Sequence, residues 1–252
     1  MKIALLSDIH ANRPALAACL QHARGQGAEQ FALLGDLVGY GGEPAAVLDD
    51  IMALAAQGAW VVLGNHDAMA LAPPALADSR GALGAQWTHD QLRPEHVAFL
   101  QSLPLTLRMG DAALLVHASA DMPAQWRYVE DSGAAERSMT AAQALDPAIR
   151  YFFSGHVHGQ ALYFMTPTAK LMRFTPEPGV AVPVPPHRQW LAIVGSVGQP
   201  RDGDARAMYA VFDDTARQVT FHRVPYDHAA AAACIRAAGL PPFYADRLES
   251  GH

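Results

Sequence analysis

Lys2–Arg24 reads KIALLSDIHANRPALAACLQHAR. The apolar run KIALLS ends just before Asp8 and His10, and Pro14 then opens a stretch through Arg24 with an Ala/Leu face at helical spacing. That is a strand, a loop and a helix. The unit recurs downstream. Gln30–Leu34 (QFALL) runs into Gly35–Gly42 and a helical Pro44–Gln57, and Ala59–Leu63 (AWVVL) runs into Gly64–Asp67. Apolar strands alternating with helices predict parallel strands covered on both faces, an α/β fold. In such sheets ligands bind beyond the carboxyl ends of the strands, where Asp8, His10, Asp36, Asn65 and His66 fall.

Further along, the pattern predicts helix over 79–101 with a second start at Pro94, then strand, turn and strand over Leu105–Met109, Gly110–Asp111 and Ala112–His117. Residues 118–148 read as mostly loop and short helix, and the strand Arg150–Ser154 delivers Gly155–His158. Strands follow at Ala161–Thr166, Leu171–Phe174, Trp190–Val194, Ala207–Asp213 and Gln218–Val224, and helices at Asp227–Ala238 and Pro241–Glu249. Pro176–Pro186 holds five prolines in eleven residues and is expected to be an extended, partly exposed loop. No composition shift marks a boundary, so residues 1–252 are read as a single domain.

Composition narrows the function classes. With 51% hydrophobic and 17% charged residues, the chain has the makings of a packed core and not of a disordered segment. A net charge of -6 argues against general nucleic-acid binding, which draws on lysine and arginine. No apolar run is long enough to span a bilayer, and Asp8 and His10 interrupt the N-terminal stretch where a signal peptide would continue, so a cytoplasmic location is expected. Cys19 and Cys234, without CxxC spacing, read as core thiols.

Five loops, each directly after an expected strand, carry Asp8 with His10, Asp36, Asn65 with His66, His117, and His156 with His158. Singly, each has an ordinary explanation: Asp8 and Asp36 suit helix caps, Asn65 a turn, His117 a local backbone contact. Jointly, as strand ends of one sheet meeting at one edge, they gather carboxylate, imidazole and amide oxygen donors. The blocks Asp8–Ile9–His10, Gly35–Asp36, Gly64–Asn65–His66–Asp67, His117 and Gly155–His156–Val157–His158 resemble, in order, those of the calcineurin-like dinuclear metallophosphoesterases. Gly195–Gly203 (GSVGQPRDG) also looks like the glycine-rich C-terminal turn of small bacterial members.

The resemblance implies a four-layer α/β/β/α sandwich of two mixed sheets and a metal-dependent phosphoric ester hydrolase working by attack of a metal-bridging hydroxide. It implies two divalent metal ions, manganese first, with iron or zinc as alternatives. One would take Asp8, His10, His158 and a bridging Asp36, the other Asp36, Asn65, His117 and His156. His66 is left over as the general acid or a transition-state stabiliser, with Asp67 orienting its imidazole.

The departures bear on substrate. Asp36 is followed by Leu37–Val38–Gly39–Tyr40–Gly41–Gly42, without the arginine that contacts phosphate in the protein phosphatase branch, and the loop looks like the GYG form of small phosphodiesterases and nucleotide hydrolases. Ala11 stands where members commonly have glycine. The expected substrate is a small phosphodiester, a nucleotide or a dinucleoside polyphosphate. Asn12, Arg13, Tyr40, Trp126, Arg127 and Tyr128 are the candidate substrate contacts, with Trp87 a further aromatic. Alternatives are a phosphomonoesterase or protein phosphatase, or a non-catalytic metal-binding scaffold; a nuclease fits the acidic balance poorly. Arg201 suits either phosphate or a second subunit, and oligomeric state is not legible.

Overall fold

The computed structural model describes residues 1–76, 79 and 81–252. In chain order the elements are β1 (Lys2–Leu6), α1 (Arg13–Gly25), β2 (Gln30–Leu33), α2 (Pro44–Ala56), β3 (Trp60–Val61), α3 (Asn65–Leu71), α4 (Ala85–Asp90), α5 (Pro94–Ser102), β4 (Thr106–Met109), β5 (Ala113–Val116) and α6 (Ser132–Leu145). They continue through β6 (Tyr151–Ser154), β7 (Gln160–Met165), β8 (Leu171–Phe174), β9 (Ala181–Pro183), β10 (Trp190–Val194), β11 (Ala207–Asp213), β12 (Gln218–Val224), α7 (His228–Ala237) and α8 (Pro242–Ser250).

The strands form two six-stranded sheets, ordered β3-β2-β1-β11-β12-β9 and β4-β5-β6-β10-β7-β8. In the first, β3, β2 and β1 are parallel and β11 joins β1 antiparallel. In the second, β5, β6 and β10 are parallel, β4 and β7 flank them antiparallel, and β8 pairs antiparallel with β7 at the edge. Strand periodicity assigns the layers. Ile3 and Leu5 point into a core between the sheets with Leu115, Phe153, Ala192 and Phe212, while Ala4 and Leu6 face Leu16, Val47 and Ile51 of α1 and α2. On the far side Phe152, Leu191 and Ile193 pack against Ala135, Met139 and Ala142 of α6. Two packed sheets with helices outside are the four layers expected.

Several expectations change. The five loops do not belong to one sheet: β1, β2 and β3 supply Asp8, His10, Asp36, Asn65 and His66 from the first, whereas β5 and β6 supply His117, His156 and His158 from the second. Strand periodicity says which faces are buried and not which sheet a strand joins. Within Pro176–Pro186, Ala181–Pro183 pairs with β12 as an edge strand, a position that tolerates proline because one side needs no hydrogen bonds. The expected helix over 79–101 is a short 3₁₀ turn at Ala82–Gly84 followed by α4 and α5, and its Arg80 lies outside the described residues. Residues 118–148 contain the fourteen-residue α6, whose buried face is built from Ala135, Ser138, Met139 and Ala142, too small and polar to stand out as an apolar stripe. No helix among the described residues is long and apolar enough to cross a membrane.

Candidate metal centre

The parallel pairing of β1 with β2 and of β2 with β3 sets their carboxyl ends side by side, and β5, β6 and β10 do the same opposite them. The two rows of loops meet at one edge of the sandwich. Backbone bonds lock the first row: Asp8 N donates to Gly35 O at 3.0 Å, His10 N to Asp36 O at 2.9 Å and Ala11 N to Leu37 O at 3.0 Å. Two glycines let the loops close up. A Cβ on Gly64 would lie 2.2 Å from Asp36 Oδ1, and one on Gly155 would lie 1.8 Å from Ser7 Oγ and 2.4 Å from Asp8 Oδ2.

Non-glycine residues carry the strain of the turns. Asp8, His10, Ala11, Asp36, His156 and His158 all have φ between +50° and +66°. Each such residue costs about 1–2 kcal/mol, an expense typically found where side chains must be aimed at a site. Ala11, at φ +50°, occupies the backbone region a glycine enters freely.

The resulting geometry divides each carboxylate into a pinned and an inward oxygen. Asp8 Oδ2 accepts from His156 N at 2.9 Å, leaving Oδ1 at 3.2 Å from His158 Nε2 and 3.7 Å from His10 Nε2. Asp36 Oδ1 accepts from His66 N at 2.8 Å, leaving Oδ2 at 3.2 Å from His117 Nε2 and 3.8 Å from His10 Nε2. Around His117 Nε2, Asn65 Oδ1 and His156 Nδ1 each lie at 3.1 Å. Asp8, His10 and His158 thus form one buried group able to hold a cation, and Asp36, His117 and His156 a second, with Asn65 beside it and Asp36 between the two.

The imidazole tautomers fit a cation. His10 Nδ1 faces Val38 O at 3.3 Å and His158 Nδ1 faces Gln199 O at 2.6 Å; a carbonyl only accepts, so both Nδ1 atoms donate and the Nε2 atoms are the ring nitrogens turned toward Asp8 Oδ1. The two Nε2 atoms approach each other to 3.2 Å. Asp8 Oδ1, buried beside them, has no hydrogen-bond partner. A divalent cation satisfies all three.

Electrostatics agree. Burial alone would raise Asp8 and Asp36, but the neighbouring imidazoles, His158 for Asp8 and His117 for Asp36, hold both carboxyls well below the usual carboxylate range. Burial lowers His156 to about 4 and also lowers His158, so both are neutral and free to ligate. His117 moves the other way: burial disfavours its charge, yet Asp36 carries it up to about 9, a proton that a cation must displace.

The remaining expected residues separate. His66 is buried, its ring 5.0 Å from His10 and 4.3 Å from Tyr40, within ligand range of His10 and Asp36. Asp67 does not orient it. The Asp67 carboxylate accepts from Leu37 N at 2.9 Å, Val38 N at 3.1 Å and Gly64 N at 2.9 Å, which staples the Asp36 loop to the start of α3. Burial and then Asp36 raise its pKa to about 7 against those bonds. Asn12 is not free for substrate: Oδ1 caps α1 at Ala15 N, and Nδ2 donates to Gly198 O and Tyr226 Oη. Arg13 pairs with Asp50 on the outer helices, and Arg127 with Asp121 and Gln125, so both cations are already engaged. Trp87 packs against the C-terminal helices.

Tyr40, Trp126 and Tyr128 do reach the centre. Tyr40 edges His10 at 4.6 Å between centroids, Trp126 edges His117 at 5.9 Å and Tyr128 stacks on His156 at 4.0 Å. A cleft lined by Asn65, Ala68, Met69, Trp126, Tyr128 and His156 opens beside the second group. Gln199 and Ser196 were not anticipated: Gln199 O seats His158, and Ser196 Oγ donates to Asp8 O at 2.9 Å. Their signal was the glycine-rich turn itself.

Residues 1–217 match the calcineurin-like phosphoesterase superfamily domain. The chain is a calcineurin-like phosphoesterase. It is similar to a metallophosphoesterase from Sphaerobacter thermophilus, with 36% identity, a TM-score of 0.83 and coverage of 100% of this chain and 99% of that one. An uncharacterized protein of Methanocaldococcus jannaschii is 30% identical over 99% of this chain and 98% of its own length. A hypothetical protein of Pyrococcus horikoshii OT3, at 19% identity, shares the fold with a TM-score of 0.76 over 100% and 98% of the two chains. The calcineurin-like phosphoesterases are phosphoric ester hydrolases, and the buried His/Asp groups of this one fit a dinuclear metal site.

Proposed function

We propose that the chain hydrolyses a small phosphoric ester at this centre: a phosphodiester, a nucleotide or a dinucleoside polyphosphate. The observation that carries the reading is Asp36, whose pinned Oδ1 leaves Oδ2 between His10 and His117, the position of a carboxylate shared by two ligand sets. Asp8, His10, His158 and Asp36 would hold one divalent cation and Asp36, Asn65, His117 and His156 the other, and such a pair supplies polarisation of the phosphoryl oxygens and activation of the attacking water. The mixed nitrogen and oxygen donors suit manganese, iron or zinc.

The chain's own groups define the rest of the reaction. His66, held neutral because burial lowers its pKa to about 3, donates an N–H to the phosphoryl or leaving oxygen as charge builds there. Tyr128 and Trp126 fix the imidazoles of His156 and His117 and wall the cleft in which the organic part of the ester lies. That apolar, aromatic wall favours a base or small organic group over a phosphorylated protein loop, and neither nucleic acid in general nor a membrane is a partner in this reading.

Two measurements test it. Manganese-loaded protein assayed side by side on a phosphodiester, a phosphomonoester and a dinucleoside polyphosphate is expected to cleave at least one, with the diester or polyphosphate ahead. No cleavage of any of them with two metals bound would overturn the reading. Separately, free metal at about 100–1,000 times its Kd stabilises the folded state by about 3–4 kcal/mol. Chelation should therefore lower the melting temperature by roughly 5–15 °C in a chain of this size, and an unchanged melting curve would count against a metal centre.

A further inference from the structure

The Asp36 loop lacks a phosphate-binding arginine, and Arg127 is spent on Asp121. A different cation stands at the mouth of the centre. β10 runs parallel beside β6, so the turn after it, Gly195–Gly203, emerges next to His156 and His158. That turn is tied to the first ligand loop: Val197 N donates to Ser7 O, Gly198 N to Asp8 O, and Asn12 Nδ2 to Gly198 O, each at 2.9 Å. Its far end is fastened by Gly203 N donating to Gly251 O at 2.8 Å. Arg201 therefore projects from a framework held to the same residues that aim Asp8 and His158.

The guanidinium sits 5.8 Å over the ring of Tyr40, which also packs against His10 and His66. Its Nη2 donates to Gln199 Oε1 at 3.0 Å, and the backbone carbonyl of that same Gln199 seats His158. The acidic residues nearest in sequence are taken: Asp202 pairs with Arg223 and Asp204 with Arg206. Among the described residues no carboxylate lies within ion-pair distance of Arg201, whereas Arg13, Arg93, Arg108 and Arg236 all have one. Arg201 Nε is buried without an acceptor, as is Gln199 Nε2. A charged guanidinium with an idle, buried donor, packed one ring from the ligand histidines, lacks one thing, an anion. Its charge already acts on the surroundings, adding to the burial that lowers His158 and opposing the burial that raises Tyr40 and Tyr128.

We infer that Arg201 is the phosphate-binding residue of this chain, its fork engaging non-bridging phosphoryl oxygens of the ester and of the phosphoryl group left on the product while Tyr40 and Gln199 hold it in place. This role rests on the phosphoesterase reading above, and it supplies from the C-terminal turn the cation missing after Asp36. A guanidinium presents two parallel N–H groups to a phosphate, a geometry that lysine does not reproduce.

The test is binding of inorganic phosphate, without turnover, to the manganese-loaded full chain by calorimetry, comparing wild type with Arg201→Gln and Arg201→Lys. A hydrogen bond to a charged group is worth enough to predict that Arg201→Gln binds phosphate about tenfold or more weakly, with Arg201→Lys in between. Metal content is expected to stay unchanged, and in turnover the loss is expected in KM before kcat. Phosphate binding by Arg201→Gln within twofold of wild type would overturn the inference. If Arg201→Gln proves unstable or loses metal, Arg201→Lys decides, and wild-type phosphate affinity in that variant is equally fatal. Wild-type protein that binds two metals but no phosphate would overturn this role, while the phosphoesterase reading is decided separately by the hydrolysis of the three esters.

Discussion

Replacing Asp36 with asparagine is expected to lower ester hydrolysis by about 10³-fold or more, a loss of roughly 4 kcal/mol of transition-state stabilisation, and to lower metal content with it. The change is nearly isosteric, so its effect follows from one atom. Oδ1 is committed to His66 N and stays where it is, which puts the new amide NH₂ at the Oδ2 position, facing His10 Nε2 and His117 Nε2. An amide nitrogen has no lone pair to offer a cation, and both ligand groups lose their shared donor together. Asp8→Asn should be milder for metal binding, because Asp8 Oδ1 faces only the His10 and His158 side. Metal analysis and turnover on the two variants, with circular dichroism as the check on folding, separate these cases. Wild-type turnover in Asp36→Asn would show that the chemistry lies elsewhere.

The candidate ligand residues stood out because each lies just past the end of an apolar strand, and strand ends are where an α/β fold presents its ligands. What the sequence hid was connection between distant segments. Asp67 looks like a partner for the adjacent His66, yet it bonds Leu37 and Val38, thirty and twenty-nine residues away. Asn12 looks like a site residue and is one only indirectly, since its amide spans to Gly198 and Tyr226. The assignment of the five loops to one sheet failed for the same reason, because burial on both faces is common to β1 and β6 whichever sheet they join. Arg127 and Arg201 are equally basic in sequence. Only the side-chain pairing in the folded chain, of Asp121 with the first and of Asp202 and Asp204 with Arg223 and Arg206, tells the cation engaged by a carboxylate from the one that is not.

His66→Ala is expected to keep its metals and lose about 100-fold in rate, and the conservative His66→Asn to recover part of that loss. The two roles left open for this residue make different demands. A general acid must carry a proton at working pH, but burial lowers the His66 pKa to about 3, outweighing the pull of Asp36, so the ring is neutral. A neutral imidazole still donates one N–H, and a single well-placed donor to a developing oxyanion is worth about 10²–10³ in rate. Asparagine retains an N–H donor and alanine does not, so a gap between the two variants marks donation, and equal losses mark a proton that only histidine can carry. Metal analysis supplies the third outcome. His66 lies within ligand range of His10 and Asp36, so loss of a metal along with the rate would make it a ligand. Full occupancy is expected instead, because Asp8, His158, Asn65, His117 and His156 remain in place around both groups without it.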